Sequence, residues 1–233
     1  EARVGELEAT QFSTTTKLKG KADWVFGAAK AHGKRSEAFE AASGGTSFSY
    51  NLALNLETSF TGKDLLYTRL RAGNMNNVFT GLFSQEYGVD SGNTVKIARM
   101  WYSFPVGENF TVVGGPRVRM DDMLPVWPSA YPAAMTYDFF TYAGAPGAYN
   151  LWLGAGAGVY WKSDDFSIST SYLSSSGNES NPNTGGIGTD GADFSATTQI
   201  AYAPENWGIA AAYTKASGNS EKLYVGNANA QAA

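Results

Sequence analysis

Between Phe48 and Phe60 the even positions read Phe48, Tyr50, Leu52, Leu54, Leu56, Thr58 and Phe60, while the odd ones read Ser49, Asn51, Ala53, Asn55, Glu57 and Ser59. Successive side chains of a strand point to opposite faces. This run therefore predicts a strand of about thirteen residues with one apolar and one polar face. A helical winding would gather Phe48, Leu52 and Ser59 on one side and scatter the rest.

The same alternation recurs along the chain. Leu18, Ala22, Trp24 and Phe26 oppose Lys17, Lys19, Lys21 and Asp23; Leu66, Leu70 and Ala72 oppose Tyr67, Arg69 and Arg71. Ala98, Met100, Tyr102 and Phe104 oppose Arg99, Trp101 and Ser103, and Phe110, Val112 and Val118 oppose Thr111, Arg117 and Arg119. Four further runs follow: Ala155 to Trp161, Phe166 to Tyr172, Phe194 to Tyr202 and Ile209 to Tyr213. The pattern predicts nine strands, with a candidate tenth starting near Leu223.

Short and long connections also alternate. Thr61-Gly62-Lys63-Asp64, Gly107-Glu108-Asn109, Ser163-Asp164-Asp165 and Pro204-Glu205-Asn206 are tight turns. Between them lie the long segments 27–47, 74–94, 120–152 and 174–192. Such an order describes an up-and-down antiparallel sheet whose two ends face different surroundings. Aromatic residues bracket the short turns on the apolar face: Phe104 and Phe110, Trp161 and Phe166, Tyr202 and Trp207, with Phe60 ahead of Leu66 at the first. Rings at one level just inside the strand ends make the girdle of a membrane barrel. A soluble β-sandwich also alternates, but it would concentrate its large rings in mid-strand.

Composition has to be weighed against that pattern. The chain has 233 residues, 17 Lys+Arg against 21 Asp+Glu and a net charge of −4. Its mean hydropathy is −0.26, and no apolar run reaches the roughly 18 residues of a spanning helix. By averages it reads as soluble. In a barrel, however, only every second residue meets lipid, and the wetted half dilutes the mean. The absence of Cys excludes disulfides, Cys-ligated zinc, iron–sulfur clusters and thiol nucleophiles. A single His, His32, excludes a multi-His metal site, and the acidic balance without a basic tract argues against nucleic acid as a partner.

Several stretches resemble the outer-membrane porins of cyanobacteria, grouped with the carbohydrate-selective porins, some of which carry an iron-uptake label. They are Gln11-Phe12-Ser13-Thr14-Thr15-Thr16-Lys17-Leu18-Lys19-Gly20, then Leu54 to Asp64 running on through Thr68-Arg69-Leu70-Arg71-Ala72-Gly73-Asn74, and Tyr102-Ser103-Phe104-Pro105 with Phe110-Thr111-Val112. The resemblance implies an all-β, transmembrane antiparallel up-and-down β-barrel of about sixteen strands, within the range of such barrels. It also implies an outer-membrane location, a homotrimer, and an N-terminal surface-layer-homology domain gripping the cell wall. That domain is missing from these residues, and nine or ten strands fall short of the implied barrel. The chain therefore reads as a trimmed product or a fragment. Residues 1–11 are expected to end a periplasmic linker, 12–225 to form barrel, and 226–233 to be a tail.

With the polar faces turned inward, Lys17, Lys19, Lys21, Arg69, Arg71, Arg99, Arg117 and Arg119 would line the pore, opposed in those strands by Asp23 and Glu57. A lumen of one sign attracts counter-ions, which predicts a tilt toward anions or electroneutral solutes. Equally, the arginines could pair with acidic loops and stiffen the wall. Segment 120–152, the third long loop, is by family analogy the one that enters the lumen. Asp121, Asp122, Trp127, Tyr131 and Tyr137 would mark its constriction, or its rings would serve subunit contact or loop packing. Asp121-Asp122 and Asp164-Asp165 read as turns rather than as metal sites, since hard cations need six or more oxygens in a shaped loop. His32 sits in a loop, away from any partner for a Ser–His–acid site, so neither cofactor nor enzymatic activity is expected. The sequence thus predicts a porin passing small hydrophilic solutes and inorganic ions across the lipid bilayer. A tether joining the outer membrane to the wall through a plugged barrel and a soluble carbohydrate-binding β-protein are the alternatives.

Overall fold

The computed structural model describes residues 15–34, 36–75, 88–131 and 141–217. Nine strands run in chain order: β1 (Thr16–Gly27), β2 (Ser47–Thr58), β3 (Leu65–Gly73), β4 (Lys96–Val106), β5 (Phe110–Arg119), β6 (Leu153–Ser163), β7 (Phe166–Ser174), β8 (Phe194–Tyr202) and β9 (Ile209–Ala216). Each pairs antiparallel with the next, giving one up-and-down sheet. The predicted tenth strand near Leu223, the linker 1–11 and the tail 226–233 lie outside the described residues. One short helix, α1 (Ser36–Ser43), sits in the first long connection and was not anticipated from the sequence.

Turn chemistry sets the register. Asp164 adopts φ 48° in the β6–β7 turn, a left-handed conformation that a two-residue hairpin demands. The β2–β3 turn is organised by the Asp64 carboxylate. It accepts from the Thr61 amide at 2.7 Å, the Thr61 hydroxyl at 2.6 Å, the Phe60 amide at 3.0 Å and the Ser59 hydroxyl at 3.0 Å. The Tyr102 hydroxyl of β4 donates to it at 2.7 Å, tying the turn to the next hairpin. These donors, the Thr61 hydroxyl first and that of Tyr102 next, hold the Asp64 carboxyl well below its ordinary value.

Two bulges, on neighbouring strands, correct the sequence expectation locally. Against β3, Arg69 pairs with Arg99 and Leu70 with Ile97, so Ala98 is the extra residue of β4. Ile97 thereby takes the apolar side and Lys96 joins the polar one, opposite Arg71. In β5 the register passes from Gly115 opposite Gly156 to Val118 opposite Gly154. The added residue falls at Pro116, which has no N–H to give to a ladder. Beyond it Arg117 and Val118 change face. Val118 turns to the polar side, where it is fully buried.

The two faces are inverted relative to a water-soluble protein. Trp24, Phe26, Phe48, Phe60, Ile209 and Tyr213 are 65–76% exposed, whereas Ser167, Ser169, Thr197 and Gln199 are 1–2% exposed. Aromatic pairs lie on the apolar face beside the short turns, with ring centroids 6.0 Å apart for Trp161–Phe166 and 5.5 Å for Tyr202–Trp207. A second band, missed by the sequence analysis, marks the long-loop end. Phe26 meets Phe48 edge-on at 6.0 Å, and Tyr172 stacks on Phe194 at 5.5 Å.

Candidate functional site

On the polar face of β1 to β4, cationic side chains stand in adjacent registers. Lys17, Lys19 and Lys21 lie across from Glu57, Asn55 and Ala53, and Arg69 and Arg71 approach Asn55 and Ala53 from the other side. Arg99 stands directly opposite Arg69. Like charges so placed need spacers. Lys19 Nζ reaches Glu57 Oε2 at 2.6 Å, and Lys21 Nζ reaches Asp23 Oδ1 at 3.1 Å. Arg71 Nε donates to Asn51 Oδ1 at 2.7 Å, and Asn51 Nδ2 donates onward to Asp23 Oδ2 at 3.0 Å. Arg69 Nε donates to Asn55 Oδ1 at 2.9 Å. An amide accepts the bond without cancelling the charge, so it fixes the guanidinium and leaves it cationic. Beside Arg69, Tyr67 and Trp101 stack at 4.9 Å, with the Arg69 guanidinium carbon 5.9 Å from the Tyr67 ring centre.

Arg99 and Arg119 behave differently, because a 3-10 turn at Met120–Met123 delivers Asp121 and Asp122 to them. Arg99 Nη1 lies 2.5 Å from Asp122 Oδ1 and 4.0 Å from Asp121 Oδ2. Arg119 grips Asp121 with two nitrogens, at 2.5 and 2.6 Å. Its backbone amide donates to Asp122 Oδ2 at 2.9 Å. All four side chains are largely buried, the setting in which paired charges must satisfy one another. Arg117, expected in the same wall, is displaced by the Pro116 bulge. It stands opposite Met100 on the apolar side, with Nε donating to the carbonyl of Ala98 at 3.1 Å.

From the 3-10 turn the described parts of the third long connection, 124–131 and 141–152, pack against the polar face of β6 to β9. Met120 and Met123 are fully buried with Val113, Val118, Tyr149 and Leu173. Gly158 makes room for this approach: a Cβ there would lie 3.0 Å from the Cβ of Met123 and of Ser171. The returning segment is tied down by polar contacts. Gln199 Nε2 donates to the Tyr149 hydroxyl at 2.9 Å, Thr214 Oγ1 to the Ala148 carbonyl at 2.7 Å, and Asn150 Nδ2 to Ser195 Oγ at 2.9 Å. Trp127 packs edge-on to Tyr149 at 5.4 Å, and its Nε1 donates to the carbonyl of Tyr131 at 3.0 Å. The Tyr131 ring itself is half-exposed, and Tyr137 lies outside the described residues. Segment 126–130 reaches the β8–β9 turn across a cleft of about 500 Å³.

Lys96, Gly158, Tyr149 and Gln199 belong to this arrangement and were missed by sequence reasoning. Gly158 alone carried a signal, in the alternating Gly154-Ala155-Gly156-Ala157-Gly158 run, whose glycines occupy the polar side where the insert docks. His32 is exposed in the first long connection.

A sheet that presents aromatic-banded apolar side chains outward and packs a long loop against its polar face is the wall of a porin barrel. The family model for carbohydrate-selective porins, the OprB family, matches residues 1–135, and the chain belongs to that family. An uncharacterized protein of Synechocystis sp. is 32% identical over 239 residues, covering 96% of this chain and 41% of its own length. An uncharacterized protein of Nostoc sp. is 41% identical over 120 residues, covering 46% of this chain and 20% of its own. The chain thus spans at most about two-fifths of these relatives. Among solved structures, the high pH structure of Pseudomonas putida OprB shares the fold, with a TM-score of 0.53 at 13% identity over 92% of this chain and 55% of that one.

Proposed function

We propose that this chain forms wall and constriction of an outer-membrane porin through which small hydrophilic solutes and inorganic ions diffuse, with anions favoured. The observation that carries the proposal is the inversion of the two faces. Large apolar side chains in two aromatic bands are exposed, while hydroxyl and amide side chains are buried beneath a loop. An apolar face of this kind is stable only against lipid, whose headgroups suit the bands. The anion preference follows from the cationic face of β1 to β4, since a passage lined by one sign of charge concentrates counter-ions.

Planar-bilayer recording of the full-length protein under a potassium chloride gradient tests both parts. Discrete channels with an anion-selective reversal potential are expected. Absence of channels would overturn transport, and a cation-selective potential would overturn the role of the basic face. The insert across β6 to β9 is the one observation favouring a tether with a narrow or plugged lumen, and failure to conduct would support that reading instead.

A further inference from the structure

Arg117 stands on the outer side of the sheet, where strict alternation from Phe110 would have turned it inward. The bulge at Pro116 carries it out, opposite Met100 and among apolar side chains, and it is exposed there. Its Nε donates at 3.1 Å to the carbonyl of Ala98, the extra residue of the neighbouring bulge in β4. Among the described residues its terminal nitrogens have no hydrogen-bond or ion-pair partner. Two adjacent bulges thus hold one guanidinium on the apolar face with donors to spare.

Sign and level narrow what can meet it. Among the described residues of the nine strands, the apolar side carries two charged side chains, Arg117 and Lys215, both basic and both exposed. On β7 the two aromatic bands are marked by Phe166 and Tyr172, six positions apart. Lys215 is six positions from Ile209, and Arg117 is seven from Phe110, one of them the bulged residue. Both cations therefore lie level with the long-loop band, at headgroup depth. A second copy packing through this face would bring no counter-charge from the described strand residues. Nearer the short turns, a groove of about 540 Å³ opens between Phe110, Val159, Trp161, Phe166, Ile168 and Thr170.

On the porin reading of the apolar face, we infer that Arg117 binds the anionic headgroup, a phosphate or sulfonate, of a lipid in the leaflet at the long-loop end. An acyl chain of that lipid lies along β5 and β6 toward the groove. The guanidinium offers paired N–H donors to two oxygens of one headgroup, a geometry that lysine lacks.

Lipid retention by the full-length protein in a neutral detergent tests this. Phosphatidylglycerol and phosphatidylcholine are added in equal amounts, and bound lipids are counted by native mass spectrometry. Arg117→Gln keeps a donor nitrogen at the position of Nε and removes the charge. Lys19→Gln removes the same charge from the polar side. The parent is expected to prefer phosphatidylglycerol, Arg117→Gln to lose about fivefold of that preference, and Lys19→Gln to match the parent. Arg117→Lys, which keeps the charge without the fork, is expected to fall between. Equal retention by the parent and Arg117→Gln, or an equal loss in Lys19→Gln, would overturn the inference. So would displacement of the lipid by inorganic phosphate, which would mark a site for a free anion. A changed subunit count in Arg117→Gln would overturn it too, assigning the side chain to a subunit contact. A parent that stays dispersed without detergent and holds neither lipid would instead overturn the porin reading, so the two failures are distinguishable.

Discussion

The polar face of β1 to β4 and that of β6 to β9 belong to one continuous sheet, yet they solve different problems. The first keeps the lysines of β1 exposed and buries Ser49, Asn51 and Ala53 of β2, and it carries Lys17, Lys19, Lys21, Arg69 and Arg71, spaced by Asn51 and Asn55. The second packs against the insert and is mostly Gly, Ser, Thr and Gln, with Leu173 in the buried cluster and Lys162 exposed at its short-turn end. Burial explains the difference. A hydroxyl or amide can be covered at modest cost when a loop supplies partners, whereas a covered lysine would demand a counter-charge. Small side chains also let a loop come close, as Gly158 does for Met123. The charge pattern of a barrel wall thus records where its interior is filled and where it is open.

Breaking the boundary between the two parts has the largest expected effect. Asp122→Asn leaves Arg99 buried with half its anionic partnership gone, a loss of about 3–5 kcal/mol for a broken buried pair. Denaturant unfolding in detergent would measure it. If the ion pair anchors the insert, the same variant also exposes a cysteine at position 169 to labelling. An unchanged midpoint would show that the hydrophobic docking of Met120 and Met123 suffices alone. Crowding that docking comes next. Gly158→Val places carbon where Met123 and Ser171 already approach to 3.0 Å, and overpacking of this kind costs about 1–3 kcal/mol.

How far the sequence made this visible differs between the two parts as well. Strand positions and short turns were legible because period-two alternation is written locally, and the nine predicted strands match the observed ones closely. The basic residues of β1 and β3 fall on the polar face for the same reason. Arg117 did not follow, because a single extra residue at Pro116 reverses it and Val118. Alternation is blind to an inserted residue unless a proline or glycine betrays it, and Gly115-Pro116 was that clue. The seal over β6 to β9 was only half legible. Family analogy marked 120–152 as the loop that enters the lumen, but its resting place depends on contacts over about 50 residues of separation, such as Gln199 with Tyr149. No local pattern encodes these. Short buried serines looked like an ordinary wetted face.

A third difference concerns the ends of the strands. The Asp64 turn serves the open part, and its carboxylate gathers donors from Ser59, Phe60, Thr61 and Tyr102. Its depressed pKa means that the ionised form is bound more tightly in the folded state than in the unfolded one. The stability it contributes is present in full above the ordinary value of 3.8 and is lost as pH falls below that toward the folded value. Asp64→Asn should lower the unfolding midpoint at pH 7, and the gap from the parent should narrow as pH drops below about 4. A gap independent of pH would show that geometry rather than charge organises the turn.

The smallest effect tests the sealed face itself. Ser169 Oγ is buried on β7 with no hydrogen-bond partner among the described residues, as is Ser167 Oγ. A hydroxyl taken from water without a partner opposes folding, so Ser169→Ala should leave stability unchanged or raise it, by no more than about 1 kcal/mol. Conductance should stay at the parent value, since the residue is buried and its side chain carries no charge. On the open part the same kind of truncation, Asn55→Ala, removes the acceptor that orients Arg69 and should alter selectivity at similar stability. A Ser169→Ala variant that lost stability would mean that the hydroxyl is hydrated in the folded protein. The face of β7 would then be reached by water, and the division between covered and open wall would fail at that strand.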